Sequence, residues 1–202
     1  MTSIAHVTLE TPDPVAAEAF YAAAFGLDGR IRARASDEPT SGFRGYTLSL
    51  VVSQPSTVDS LTQSAVANGA TELKPPEKSF WGYGSAVQAP DGAVWTIASS
   101  SKKDTAPANR DIDEVVLLLG VDDVKASKKF YADRGLKVGK SFGGKYVEFD
   151  LPDSPVNFSL YPRKAAAKNV GVSPEGSGSR RLAIGSDAGA FTDPDGFAWE
   201  EA

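Results

Sequence analysis

The sequence predicts an α+β protein that contains a tandem duplication, because two groups of residues occur twice in the same order. One group is a Pro-Asp-Gly turn followed by a short strand with a tryptophan, at residues 90–95 and again at residues 194–199. The other is an aspartate followed by a Phe-Tyr pair, at Asp13 and residues 20–21 and, with the same spacing, at Asp123 and residues 130–131. Because the two groups agree in order and spacing, the sequence predicts two similar halves, each with strands and helices.

The first half begins with a strand and a capped helix. Residues 4–10 alternate and carry β-branched side chains, which is typical of a half-buried strand. Asp13 then provides an N-cap, Pro14 the first helical position and Gly26 the helix end. A second helix is predicted from Ser56 or Thr57 to residues 68–69. Strands are predicted near residues 30–34, 46–52, 72–74, 84–88 and 94–98.

The second half repeats this opening after a polar stretch. The Ser-, Lys- and Pro-containing residues 101–110 predict a linker, which separates a half at residues 1–100 from a half at residues 111–202. The next strand is predicted at residues 115–119, and a helix that starts at residues 122–123 carries the second Phe-Tyr pair. Strands are predicted near residues 137–139, 146–149, 156–161 and 182–184, with a glycine-rich loop at residues 168–179 and a final strand after the last Pro-Asp-Gly turn.

Composition excludes several classes of function. The 202 residues include 41% hydrophobic and 23% charged residues, which is typical of a globular protein. The net charge of −5 and the lack of a basic stripe argue against a nucleic-acid partner. No signal peptide or membrane-length apolar run is recognisable, so we expect no membrane partner and a cytoplasmic location. The sequence has no cysteine, which excludes disulfides, zinc knuckles and thiol nucleophiles.

The order of these motifs resembles the vicinal-oxygen-chelate superfamily, which includes glyoxalase I, the bleomycin-resistance proteins and the extradiol dioxygenases. The resemblance covers residues 3–100 and 111–202. It implies an α+β fold of tandem duplicated βαβββ modules whose mixed sheets curl around a pocket, with one divalent metal ion in the enzymes. The first module is expected to be abbreviated, because no strand is predicted between Arg34 and Tyr46.

In that superfamily the metal ligands lie on the first and last strands of the modules and are usually His or Glu. At the matching positions only His6 and Glu200 have ligand chemistry. The first module can face the fourth, which would place both residues in one pocket, with Arg181 nearby to repel a cation or to pair with Glu200. The other matching positions give a second pocket that is expected to contain no acid or imidazole, near Thr47, Thr96, Val116 and Ser159.

These positions leave three hypotheses open. The favoured one is a glyoxalase- or bleomycin-resistance-like protein that binds a small molecule with no cofactor, using Trp81 and Tyr83 on a glycine-flanked aromatic segment and Arg181 for an anionic group. The alternative is a lyase, isomerase or dioxygenase that holds one divalent metal ion through His6 and Glu200. A third is an interaction protein without a ligand. The modules pair either within one chain or across a homodimer.

The same residues also have structural interpretations. His6 is better explained as a strand residue with a satisfied hydrogen bond, and packing explains Trp81 and Tyr83 as well as ligand binding does. The two Phe-Tyr pairs and the tryptophans Trp95 and Trp199 are predicted to belong to the core.

Overall fold

The computed structural model describes residues 2–27 and 29–202. The helices are α1 (Pro14–Phe25), α2 (Pro55–Ala67), α3 (Val124–Ala132) and α4 (Arg163–Val170). The strands of the first half are β1 (Ile4–Thr11), β2 (Ile31–Ala35), β3 (Thr40–Gly42), β4 (Tyr46–Val51), β5 (Thr71–Ser79), β6 (Gly82–Gln88) and β7 (Val94–Ser99). Those of the second half are β8 (Glu114–Val121), β9 (Val138–Ser141), β10 (Val147–Phe149), β11 (Asn157–Pro162), β12 (Gly176–Gly178), β13 (Leu182–Ser186), β14 (Phe191–Thr192) and β15 (Ala198–Glu201).

Two complete βαβββ modules form one eight-stranded sheet with the order β5-β6-β7-β4-β8-β11-β10-β9. Within each module the last strand runs parallel to the first, as β7 does to β4 and β11 does to β8. The two modules join through the antiparallel pair β4 and β8, which come from different halves of the chain. The predicted α+β fold of duplicated modules with mixed sheets is therefore confirmed.

Two shortened modules form a five-stranded sheet with the order β14-β15-β13-β1-β2. The first module contributes only β1, α1 and β2 to it, as the sequence predicts. The fourth contributes β13, β14 and β15, with a short turn where the complete modules have a helix. The first module thus pairs with the fourth within one chain.

Two elements differ from the sequence-based expectations. A short strand, β3, does lie between Arg34 and Tyr46, but it joins neither large sheet and pairs only with β12. Helix α4, which no motif predicted, precedes the glycine-rich loop and occupies part of that segment. Its run of alanines favours a helix, and Gly171 ends it in the left-handed conformation with φ of +77°.

The predicted helix starts are confirmed at both copies of the aspartate motif. The Asp13 carboxylate accepts a hydrogen bond from the Ala16 N–H, and Asp123 accepts from the N–H groups of Lys125 and Ala126. These bonds satisfy amide groups that a helix leaves unpaired at its first turn. No helix within residues 2–27 and 29–202 is long and apolar enough to cross a membrane.

The core lies between the sheets and contains the aromatic residues predicted for it. Tyr21 on α1 contacts Trp95 of the eight-stranded sheet, and Tyr131 on α3 contacts Trp199 of the five-stranded sheet. All four side chains are buried, and they belong to one hydrophobic cluster. Each tyrosine also donates a hydrogen bond to an aspartate at a Pro-Asp-Gly turn, Tyr21 to Asp91 and Tyr131 to Asp193. The repeated motifs therefore connect α1 to the eight-stranded sheet and α3 to the five-stranded sheet.

The predicted linker packs against the first turn of α2. The Gln54 amide accepts hydrogen bonds from the N–H groups of Thr105 and Ala106 and donates to the carbonyls of Ala106 and Pro107. The Asp104 carboxylate accepts from the Ser56 N–H. Residues 101–110 lie between β7 and β8 and keep specific contacts with the start of α2.

Candidate functional sites on the two sheets

His6 and Glu200 lie on the same face of the five-stranded sheet. His6 is in register with Gly185 on β13, and Gly185 is in register with Glu200 on β15. Residues in register share a face, so the two side chains start about 10 Å apart on strands separated by one other. A Cβ atom at position 185 would lie 2.3 Å from Cε1 of the imidazole. The glycine therefore leaves the space that the His6 ring occupies.

The Glu200 carboxylate is held by Arg34 from β2. The Arg34 guanidinium donates from Nη1 to Oε2 of Glu200 at 3.0 Å and from Nη2 to Oε1 at 2.9 Å. Its Nη2 also donates to Oε1 of Glu10 at 2.6 Å. The guanidinium thus bridges two carboxylates and lowers the pKa of Glu200 through its hydrogen bonds.

The residues present on this face do not fit a metal ion. Residues 2–27 and 29–202 contain no group of three or more His, Cys, Asp or Glu side chains arranged to hold one. The carboxylate of Glu200 is already neutralised by Arg34, whose charge would repel a divalent cation at the same place. His6 and Glu200 are brought to one face, but no third protein ligand completes a centre.

Arg181, predicted to lie near Glu200, occupies another position. Its side chain is buried, and Nη1 donates to the backbone carbonyl of Ser36. Its own carbonyl accepts a hydrogen bond from the Glu10 N–H, and its φ of +54° lies in the left-handed region. The basic partner of Glu200 is Arg34, which the sequence did not identify because β2 had no known register.

Trp81 and Tyr83 lie on the other sheet, at the hairpin between β5 and β6. Trp81 is 83% exposed and contacts the equally exposed Phe80 edge to face. The Tyr83 hydroxyl donates to Oδ1 of Asp59 on α2 at 2.9 Å. These two residues are therefore not part of the face that carries His6 and Glu200, and ligand binding by them stays a prediction.

The outer face of the eight-stranded sheet contains a cavity of about 480 Å³. Val116 and Ser159, expected in the second pocket, both line it. The expectation that this pocket has no acid was wrong, because Glu114 and Glu148 line it too. Buried Val147 and Phe149 flank Glu148, so strand alternation directs its side chain to the opposite face. The sequence offered this alternation, but not the register that places Glu148 opposite Ser159.

A hydrogen-bonded network runs along the wall of this cavity. The Tyr146 hydroxyl donates to Oε2 of Glu148 at 3.0 Å and lies 3.1 Å from Oγ of Ser159. Lys140 donates to Oε1 of Glu148 at 3.2 Å, and Asn157 donates to Oε2 of Glu114 at 2.8 Å. Burial, as the largest cause, raises the pKa of Tyr146 to about 12, so its hydroxyl stays protonated near neutral pH. The wall therefore offers both donors and acceptors to a polar ligand.

Helix α4 covers another part of the same face. Its Ala166 and Ala167 pack with Phe43, Leu118 and Tyr161, and its Val170 packs with Ala86 and Val94. At Gly120 on β8 a side chain would lie 3.2 Å from Cβ of Ala166, so the close approach of helix and sheet requires a small residue there. The helix thus covers the part of this face that lies over β6, β8 and β11.

The pKa of His6 is expected to respond to the charged residues on the same face of the five-stranded sheet. Burial, then the charge of Arg32, lower the pKa of His6, and Glu200 opposes them. Glu200→Gln should therefore lower this pKa further, and Arg32→Met should raise it. Because the chain has one histidine, a single imidazole resonance in an NMR titration measures both shifts. The pKa of His6 in the folded state lies below its ordinary value of 6.5, so the unfolded chain binds a proton more readily. The contribution of His6 to the free energy of unfolding is therefore lost as the pH falls from 6.5 through the folded-state pKa. Identical His6 titrations in all three proteins would contradict this geometry.

Comparison with known proteins supports the fold. No family model matches the sequence, and no curated protein does. Among solved structures, the chain is similar to glyoxalase I from Zea mays with a TM-score of 0.64 and 16% identity, over 98% of this chain and 91% of that one. It is also similar to a putative dioxygenase from Bacillus subtilis with a TM-score of 0.55 and 13% identity, over 96% and 71% of the two chains. Taken with its paired βαβββ modules, the chain has the fold of the vicinal-oxygen-chelate superfamily.

Proposed function

We propose that this protein binds a small molecule without a metal ion, in the cavity on the eight-stranded sheet. The observation that carries the proposal is the Arg34 guanidinium between Glu10 and Glu200. The guanidinium places a fixed positive charge at the position where metal-binding members of the superfamily need acidic side chains that are free to bind a cation. A ligand that depends on metal would have to displace this ion pair and find further protein ligands.

The cavity has the features of a ligand site. Its volume of about 480 Å³ lies within the range of small-molecule pockets, and Val116 and Pro152 contribute apolar groups to its lining. The network of Tyr146, Glu148 and Ser159 supplies polar groups whose positions are fixed by mutual hydrogen bonds. Such preorganised groups orient a ligand at little entropic cost.

Two features favour a neutral or cationic ligand over an anionic one. Glu114, Glu148 and Asp150 line the cavity, while Lys140 is the only basic residue among the described side chains of its wall. Lys140 is already paired with Glu148, so its charge is not free for an anion. The excess of acceptors suits a ligand that carries amine or hydroxyl donors.

A fragment screen by thermal shift in the presence of EDTA tests the proposal. Neutral and cationic fragments are expected to raise the melting temperature of the wild-type chain, because ligands that bind the folded state stabilise it. Val116→Trp, which fills the cavity with an indole ring, should abolish these shifts. His6→Ala and Glu200→Ala serve as matched variants on the other sheet and should retain them.

The metal-dependent alternative gives the opposite pattern. Shifts that require Zn²⁺, Ni²⁺, Mn²⁺ or Fe²⁺, and that disappear in His6→Ala and Glu200→Ala but persist in Val116→Trp, would contradict the proposal. They would instead support a lyase, isomerase or dioxygenase that uses the five-stranded sheet. The absence of any hit with or without metal would favour an interaction protein.

A further inference from the structure

The side chains of Arg163 and Arg180 meet at the backbone just before β4, and the side chain of the preceding residue, Arg44, extends to Gly92. A Cβ atom at Gly45 would lie 2.3 Å from Nη1 of Arg163 and 3.3 Å from Nη1 of Arg180, and Arg44 is the preceding residue. Gly45 has a φ of +89°, so both its conformation and its surroundings require glycine. The three side chains come from distant parts of the sequence, which explains why no motif revealed them.

These arginines bind backbone carbonyls instead of carboxylates. Arg44 donates to the carbonyl of Asp91 at 2.5 Å, and Arg163 donates to those of Pro174 and Phe43 at 2.9 and 2.5 Å. Arg180 donates to the carbonyl of Asp195 through two nitrogens, at 3.0 and 2.8 Å. Among the described residues, no ion pair within 4.0 Å involves any of the three arginines. Their positive charge is therefore not neutralised by direct contact.

Several buried donors at this place lack a partner. Nη1 of Arg44, Nη1 of Arg163 and the Tyr46 hydroxyl are buried and form no hydrogen bond with the described residues. An unpaired buried donor is costly, and more so when it is charged, so such groups are rare without a ligand or water. Tyr46 is only 1% exposed, and its burial raises its pKa to about 12. It is therefore a protonated hydroxyl beside a guanidinium.

Arg163 also feels the positive charge of its neighbour Arg180. Burial and then the charge of Arg180 lower the pKa of Arg163, while Asp122, Asp195 and Glu175 act against this at longer range. Only the charge of Arg180 reflects like-charge repulsion, since burial disfavours a charge of either sign.

Arg44 and Tyr46 line a cavity of about 240 Å³ that is separate from the proposed ligand site. Gly92 of the first Pro-Asp-Gly turn closes one side, and Val172 and Ser173 from the segment after α4 close another. The cavity can hold several water-sized groups, which is enough for a tetrahedral oxyanion and a small attached group. Glu175 also lines it, but that residue is exposed.

We propose that this cavity is an oxyanion site, in which Arg44 and Tyr46 bind a phosphate or carboxylate group. Arg163 and Arg180 do not line the cavity and contribute positive charge through space. A guanidinium presents donors in a geometry that matches both groups. The bound oxyanion would satisfy Nη1 of Arg44 and the Tyr46 hydroxyl together.

Calorimetric titration of the full chain with inorganic phosphate and with acetate tests this site. Saturable binding is expected for at least one of them, and the stronger of the two identifies the source as a phosphate or a carboxylate. Arg44→Met should weaken binding by about tenfold or more, because it removes a charge-assisted hydrogen bond. Tyr46→Phe should also weaken it while preserving the fold, because it deletes only the hydroxyl and keeps the buried ring. Lys164→Met removes the same charge from an exposed residue beside Arg163 and should leave binding unchanged.

Two results would overturn the proposal. One is a wild-type chain that binds neither phosphate nor acetate in a saturable way. The other is an equal loss of affinity in Lys164→Met and Arg44→Met, which would mean that only overall charge matters. Val116→Trp should not change oxyanion binding, so this experiment and the fragment screen on the other cavity fail or succeed independently.

Discussion

Replacing Trp199 with alanine is expected to lower the free energy of unfolding by about 3–5 kcal/mol, the range for large aromatic residues removed from a core. The indole is only 2% exposed, and its ring lies 5.2–5.4 Å from the rings of Tyr131, Phe158 and Phe191. These neighbours come from helix α3 and from both sheets, so their backbones cannot move together to fill the cavity that alanine leaves. Chemical denaturation followed by circular dichroism measures the loss.

Trp81→Ala is the matched control, because it deletes the same side chain from an exposed turn. Its indole is 83% exposed, so the expected change is within about 0.5 kcal/mol, as for most surface substitutions. Equal losses in Trp81→Ala and Trp199→Ala would show that Trp199 is not in a core shared by the two sheets.

Asp193→Ala is expected to cost about 2–4 kcal/mol, because it leaves several buried donors without an acceptor. The carboxylate is 5% exposed and accepts from the Tyr131 hydroxyl and from the N–H groups of Asp195 and Phe197, the last two at 3.0 and 2.7 Å. A double-mutant cycle with Tyr131→Phe should give a coupling energy of about 0.5–3 kcal/mol between the two side chains. A coupling near zero would contradict the hydrogen bond between them.

The pH dependence of this variant follows from the raised pKa of Asp193. Burial, as the largest cause, raises the pKa above its usual 3.8, so the folded state binds a proton more readily than the unfolded state. The contribution of Asp193 to stability therefore increases as the pH falls through the raised pKa towards 3.8. Asp193→Ala should accordingly cost more at acidic pH than at neutral pH, as denaturation at several pH values would show.

The repeated fold could be predicted because its signals are local. Asp13 and Asp123 cap helices through bonds to residues two or three positions away, and the Pro-Asp-Gly turns depend on their own residues. Trp95 and Trp199 follow those turns at the same distance. The duplication therefore predicted that both are buried in equivalent places, and both are buried.

The sites could be predicted only in part because they depend on long-range register. His6 and Glu200 were placed in one pocket through the resemblance, but Arg34 reaches Glu200 only because β2 lies parallel to β1 and its side chain extends across the sheet. Likewise, Glu148 enters the second cavity through its pairing with Ser159. Arg163 and Arg180 meet at Gly45 through contacts between distant segments, which no periodic pattern describes.

The order of the strands also has a consequence for how the chain acquires its structure during synthesis. β1 is made first, yet Ile4 lies beside Ser186 on β13, which is made near the end. The eight-stranded sheet, by contrast, uses residues 46–162 and can form while the ribosome still holds the last strands. Contacts between residues that are distant in the sequence form late and slowly. The five-stranded sheet, which contains β1 and the strand that follows α1 in the first module, therefore cannot be completed until the C-terminal strands have been synthesised. The five-stranded sheet, with His6 and Glu200, would therefore be the last part of the molecule to form.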